Sequence, residues 1–293
     1  MGSDLEGLTA VVTGGAGQTA GLGRGLVRGF AESGMRIAVL DVDTRAASAL
    51  ASELRGDGVD AIGLEADVTS PASLDSAASE VASTFGACNV LCAHVGGGGQ
   101  GRLVELSLDT WSRAMELMVT GTVATVLAFL PLMRQSEGRR RIVLTSSVAA
   151  LAPGRFQGPY RAAKAAVMSI GETLDLELAG EGIGTTVAFP SGMLSPELMA
   201  LAGQMIGVPG DPDSAEPETL EMAIAGEMVT DPSDLAEGEG AAAPVVAAVL
   251  AGRRYVITHG RTVETTYMSR HRLLEEAFAE LADRSYRPTG VHP

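Results

Sequence analysis

Thr13-Gly-Gly-Ala-Gly-Gln-Thr-Ala-Gly-Leu-Gly23 joins a short β-branched run, residues 9–13, to a segment with helical spacing of Leu26, Val27 and Phe30, residues 23–33. Glycines in such a link allow a tight turn and let the backbone come close to a ligand. The start of the following helix supplies unpaired N–H groups and the positive end of a dipole, which suits a pyrophosphate. A glycine-rich stretch alone is weak evidence, but this one stands after a strand and before a helix, where a dinucleotide-binding loop has to be. Asp41 ends the next strand, eighteen residues after Gly23. An acid there can accept hydrogen bonds from adenosine ribose hydroxyls and repel a 2′-phosphate, which favours NAD over NADP. Arg45 nearby keeps NADP open.

Working outward, strand-like and helix-like segments alternate. Strands are expected over residues 36–40, 61–65, 90–95, 141–146 and 184–189. Helices are expected over 44–56, 71–85 with Ser70 as N-cap, 108–134 broken or ended near Pro131, and 158–180. Strands separated by helices of ten or more residues give βαβ units, right-handed crossovers and a parallel sheet. The expected class is therefore α/β: a Rossmann-type doubly wound parallel sheet, one domain over 1–293, with its ligand at the strand ends.

From Pro190 to about Pro244 the pattern gives way to Pro, Gly and acids, with a short helical piece over 220–228. This reads as a substrate-loop or lid insertion, 190–244, followed by a last strand, 255–259, and a last helix, 263–281. The chain carries a formal net charge of −15. Fifteen of its 36 acids fall between Lys164 and Arg253, a stretch with no Lys or Arg, and the remainder is balanced. Such a surface repels nucleic acid and polyanionic substrates. With 46% hydrophobic but only 4% aromatic residues, Ala, Val, Leu and Gly must build the core. No run of eighteen apolar residues points to a membrane span, and the N-terminus has neither a basic region nor an apolar signal stretch, so a cytosolic protein is expected. Cys88 and Cys92 read as buried thiols, and no second Cys/His pair suggests a metal.

Pro159-Tyr-Arg-Ala-Ala-Lys164 carries the chemistry. Tyr160 and Lys164 stand four apart and share one face of a helix. A free tyrosine has a pKa of about 10, too high for acid–base work at neutral pH, and a neighbouring ammonium favours the phenolate. Ser147, after the fifth strand, can hold a substrate oxygen. With the glycine loop upstream and the serine thirteen residues before the tyrosine, the chain resembles the short-chain dehydrogenase/reductase family over about residues 5–195. The resemblance implies a catalytic group of Ser147, Tyr160 and Lys164. It also implies a nicotinamide cofactor held by Gly14, Gly17, Gly21, Leu22, Gly23, Asp41, Val42, Asp67, Val68, Ala93, Gly96, Tyr160, Lys164, Pro190 and Gly192. Family members pair through the helices that fall here on 108–134 and 158–180, so a homodimer or homotetramer is expected.

This sequence also departs from the family. Six residues rather than three separate Gly14 from Gly21. The family's Asn-Asn-Ala-Gly is Ala93-His-Val-Gly96, with His94 read as a structural imidazole rather than a proton carrier. An asparagine that helps hold a relay water aligns with Met118, and the family's Pro-Gly is Pro190-Ser191. Two activities follow as expectations. The first is NAD-dependent interconversion of a secondary alcohol and a ketone on a neutral or cationic, fairly bulky small molecule. The second is non-redox elimination, isomerisation or cyclisation on the same scaffold. A dinucleotide-binding sensor is a third reading, opposed by the complete Ser-Tyr-Lys group.

Overall fold

A computed structural model of the chain describes residues 5–17, 21–97, 99, 101–193 and 236–283, the side chains of 262 and 280–283 excepted. The described residues form seven strands, of which the five inner ones are largely buried and the two edge strands, β3 and β7, are partly exposed: β1 (Thr9–Thr13), β2 (Arg36–Asp41), β3 (Ala61–Glu65), β4 (Val90–Ala93), β5 (Arg140–Thr145), β6 (Ile183–Phe189) and β7 (Tyr255–Ile257). All pair in parallel in the order β3-β2-β1-β4-β5-β6-β7. The chain steps outward from β1 to β3, then returns to place β4 on the other side of β1. This is the doubly wound sheet expected from the sequence, and its switch point lies between β1 and β4.

Alternate strand residues serve the two faces. Val12, Val39 and Cys92 join α1 (Leu22–Glu32), α2 (Thr44–Gly56) and α7 (Gly238–Leu250) in one core. Val11, Leu40 and Leu91 join α3 (Pro71–Phe85), α5 (Gly121–Gln135) and α6 (Gly158–Leu178) in the other. Cys88 and Cys92 are fully buried free thiols, as read from the sequence. The caps are local: Asp43 accepts the N–H groups of Arg45 and Ala46, and Ser70 accepts that of Ser73 with Pro71 opening the helix. Each is worth about 1 kcal/mol.

Three expectations are corrected. The helix over 108–134 does not end at Pro131. It runs as α4 (Leu108–Met115), one π-helical stretch (Glu116–Thr120) and α5, which carries Pro131 inside it to Gln135. Its irregularity lies at the π turn, a geometry that no proline marks. Residues 108–135 are also long and apolar enough to cross a membrane, although no eighteen-residue apolar run was seen. In this fold Val126, Phe129 and Met133 are buried against α3 and the sheet. The third correction is the 244 boundary of the insertion. Helix α7 starts at Gly238 and carries Pro244 within it. Gly25 and Gly29 of α1 make room for it: a Cβ on Gly25 would lie 2.7 Å from the Gly238 carbonyl, and one on Gly29 would lie 2.9 Å from Val246. The expected helical piece over 220–228 lies outside the described residues.

The last strand stops at Ile257 rather than 259, and α8 (Thr262–Asp283) follows. The other ends shift by one or two residues, as hydrogen-bond definitions of element ends do.

Candidate active site

The ends of β1 and β4 are laced together by one hydroxyl. Thr13 Oγ1 accepts the His94 N–H at 3.1 Å and lies 3.2 Å from the Cys92 carbonyl. This ends β4 at Ala93, two residues before the expected 95. The glycine loop closes against that junction. Gly14 has φ +60°, and a Cβ there would meet the His94 carbonyl at 2.4 Å. A Cβ on Gly23 would lie 2.1 Å from the Gly14 carbonyl and 3.2 Å from the His94 ring. Loop, helix start and His94 therefore pack backbone to backbone.

Gly21, left-handed at φ 67°, is the N-cap of α1, and no side chain caps that helix or places an acid in its first turn. Leu22 and Gly23 begin the helix, so its leading N–H groups are left for an external acceptor. These residues fit a pyrophosphate. Residues 18–20 lie outside the described residues.

Asp41 is buried at the end of β2. Its Oδ2 accepts the Ala16 N–H and its Oδ1 accepts the Asp43 N–H, each at 3.1 Å. The carboxylate thus pins the loop, and it retains lone pairs for ribose hydroxyls. Val42 beside it is exposed. Asp67 Oδ1 accepts from the Thr69 N–H and hydroxyl, while the Val68 side chain is buried under Gly121. Ala93 is buried at the end of β4, and Gly96 lies open beside Lys164, 3.2 Å from its Nζ at the Cβ position. The Pro190 carbonyl accepts the Val148 N–H at 3.0 Å, and the Gly192 carbonyl accepts from Ala236 and faces His259 Nε2 at 2.7 Å.

Helix α6 carries two of the catalytic candidates, Tyr160 and Lys164. Lys164 is buried, and its ammonium donates to the carbonyl oxygens of Val95 and Thr145, each at 2.9 Å. One of its three donors is left, and the charge stands 5.7 Å from the Tyr160 ring centre. Burial lowers the Lys164 pKa to about 8, so at neutral pH it is still a cation. Ser146 Oγ donates to the Lys164 carbonyl at 2.7 Å, tying β5 to α6. Ser147 is buried, accepts the Ala149 N–H at 3.1 Å and lies 3.4 Å from the Pro190 carbonyl.

Met118 is fully buried in the π turn and packs with Ala114, Ala163 and Tyr160. Its carbonyl accepts the Thr122 hydroxyl at 2.7 Å. An apolar side chain thus stands beside the tyrosine where the family pattern has an amide.

His94 Nδ1 lies 3.1 Å from Thr145 Oγ1. Burial, with the Lys164 charge as a second cause, lowers its pKa to about 4. The imidazole is neutral at pH 7, consistent with a structural role. The folded state then binds fewer protons than the unfolded chain between the usual histidine pKa of about 6.5 and 4. Stability from this group is complete above about pH 6.5 and falls as pH drops through 4, by at most about 3 kcal/mol. His94→Asn is expected to flatten that acid-side loss. Melting temperatures of both proteins at pH 7 and pH 4.5 check this, and equal acid losses would refute it.

Sequence reasoning missed Thr13 and Arg161. Arg161 and Lys164 are the only basic residues of α6, and both sit near its N-terminal end, where the helix dipole disfavours cations. That placement is a signal that specific partners hold them.

Residues 8–205 match the family model for short chain dehydrogenase. The 2,5-dichloro-2,5-cyclohexadiene-1,4-diol dehydrogenase LinX of Sphingobium indicum is 30% identical over 196 residues, 67% of this chain and 77% of that one. The D-threitol dehydrogenase of Mycolicibacterium smegmatis is 28% identical over 260 residues, 89% of this chain and 95% of that one. A Burkholderia phymatum short chain dehydrogenase/reductase, solved in complex with NAD, superposes with a TM-score of 0.77 at 26% identity, over 99% of both chains. With the fold, and with the glycine loop and the Ser-Tyr-Lys residues at the carboxyl ends of inner strands, the chain belongs to the short-chain dehydrogenase/reductase family of oxidoreductases.

Proposed function

We propose that the protein is an NAD-dependent alcohol dehydrogenase or ketone reductase acting on a secondary carbinol carbon. The observation that carries this reading is the buried Lys164, anchored by two carbonyls at the carboxyl ends of β4 and β5 with its charge beside Tyr160. Ser147 holds the substrate oxygen. Tyr160 moves the hydroxyl proton, and the Lys164 cation favours its phenolate. A nicotinamide held by the glycine loop would supply the hydride chemistry, and the chain's own residues orient the substrate and handle its proton. The diol and polyol names of two relatives, and the NAD in one related structure, support the substrate and cofactor classes.

Leu103 and Val104 are exposed, and Leu103 packs on Gly158 two residues before Tyr160. This favours a substrate with an apolar body. The exposed Leu108, Leu127 and Leu176 on α4, α5 and α6 support assembly as a dimer or tetramer through those helices.

Titration with NADH and NADPH, followed by nicotinamide fluorescence, tests the cofactor. Tight NADH and weak NADPH binding is expected, followed by NADH production from a panel of secondary alcohols. Asp41→Asn keeps an acceptor for the Ala16 N–H but removes the charge. It is expected to shift the NADH-to-NADPH affinity ratio about tenfold toward NADPH, a difference of about 1.4 kcal/mol. An unchanged ratio would remove Asp41 as the ribose reader. Cofactor binding without turnover on any alcohol or ketone would favour the non-redox reading, which the buried Met118 beside Tyr160 supports.

A further inference from the structure

The residue after the catalytic tyrosine is a buried arginine. Arg161 is 8% exposed, and its Nη1 donates to the carbonyl oxygens of Ala152 at 2.9 Å and Ala149 at 3.3 Å. Both carbonyls belong to the short turn that begins at Ser147, the 3-10 stretch Val148–Ala150 and its exit. The same turn sets the serine, because Ser147 Oγ accepts the N–H of Ala149. One guanidinium therefore grips the turn that orients the serine hydroxyl, and it is attached to the helical turn that bears Tyr160.

Two further observations show that this segment is held tightly. Phe156 is the only described non-glycine residue with positive φ, at 63°, a conformation costing about 1–2 kcal/mol. It is held there while its carbonyl accepts the Gly101 N–H at 2.7 Å. Residue 154 is glycine, and a Cβ there would lie 2.1 Å from Arg161 Nη2. The loop comes so close to the guanidinium that any side chain at 154 would displace it. Strain held in place by surrounding contacts is characteristic of sites that must be pre-organised.

Resting on the dehydrogenase reading above, we infer that Arg161 is a positioning residue for Ser147, fixing the 147–152 turn so that the serine hydroxyl and Tyr160 meet the same substrate oxygen. A carbonyl oxygen held about 1 Å from its productive place loses up to about a hundredfold in rate. Substrate and cofactor affinity depend on the rest of the site and change little.

The test uses three variants of the full chain: Arg161→Met, Arg161→Lys and Gly154→Ala. The alanine suits the backbone at 154, whose φ is not positive, and its Cβ meets only the Arg161 guanidinium, with Nη2 at 2.1 Å, Cζ at 2.2 Å and Nε at 2.8 Å. Amide hydrogen exchange over residues 147–156 is read first, because it needs no substrate. Faster exchange is expected in Arg161→Met and Gly154→Ala, with NADH affinity unchanged and partial recovery in Arg161→Lys. On an alcohol that wild type oxidises, kcat is expected to fall about tenfold to a hundredfold in Arg161→Met, with KM nearly constant. Gly154→Ala should show the same kind of loss in kcat, larger in proportion than any fall in its melting temperature.

Exchange at the wild-type rate in both variants would overturn the inference. So would faster exchange with wild-type kcat, or losses of kcat that track equal losses of NADH affinity and melting temperature. If wild type oxidises nothing while exchange still rises locally, the dehydrogenase reading fails and the grip of Arg161 on the turn stands.

Discussion

Tyr160→Phe is expected to lower kcat for alcohol oxidation by about two to four orders of magnitude while NADH still binds. The phenyl ring keeps the packing with Ala114, Met118 and Ala163, so the helix and its neighbours stay in place. Only the hydroxyl, the proposed acid–base group, is lost. Lys164 remains anchored by the carbonyls of Val95 and Thr145, because its two contacts do not involve the tyrosine. Stopped-flow measurement of NADH formation, paired with fluorescence titration of NADH, separates the two effects. A variant retaining more than about a tenth of wild-type kcat would mean that another group moves the proton. A variant that also lost NADH binding would assign Tyr160 a mainly structural task.

Gly23→Ala is expected to weaken NADH binding by about a hundredfold or more, and to lower stability by several kcal/mol. The added carbon would lie 2.1 Å from the Gly14 carbonyl, a backbone atom held by the turn, and 3.2 Å from the His94 ring. The Gly14 backbone cannot retreat easily, because its own Cβ position is already 2.4 Å from the His94 carbonyl. The clash must therefore be relieved by moving the start of α1 away from the loop. That movement takes the leading N–H groups of α1 away from the place where a pyrophosphate would meet them. Binding isotherms and chemical denaturation check both effects. Wild-type affinity in this variant would mean that cofactor phosphates do not sit on this loop. Gly56→Ala, in open space at the end of α2, is a matched control.

The five inner strands were legible because each is a short run largely buried on both faces, so its composition and its bounding turns mark it without reference to partners. The glycine loop and the Tyr160–Lys164 pair were legible because their chemistry requires fixed spacing along the chain. What escaped was decided by contacts across it. Helix α7 consists mostly of Gly, Ala and Val with an internal proline, a weak helical pattern by itself. Its reason lies in α1, where Gly25 and Gly29 leave a groove that only a helix of small residues can fill. Arg161 was not singled out, because the carbonyls it holds, those of Ala149 and Ala152, stand twelve and nine residues upstream and meet it only in the folded chain. The lacing role of Thr13 depends on His94, eighty-one residues away. The family was legible before the local geometry was, because motif spacing survives changes that alter side-chain contacts.

The π turn at Glu116–Thr120 makes the helix between β4 and β5 a counted spacer. An α-helix advances about 100° per residue, so one additional residue re-aims everything that follows. Before the turn, Ala114 faces the α6 side with Met118. After it, Val126, Phe129 and Met133 face the sheet and α3. Both orientations hold only while the number of residues between them is kept. The stretch can therefore accept many changes of identity, Met118 for an amide among them, yet hardly any change of length. Removing one residue would smooth the helix and turn either Met118 away from Tyr160 or Phe129 out of the core. Drift in this part of the chain is thus channelled into side chains, and the tyrosine's neighbourhood can be rewritten without being moved.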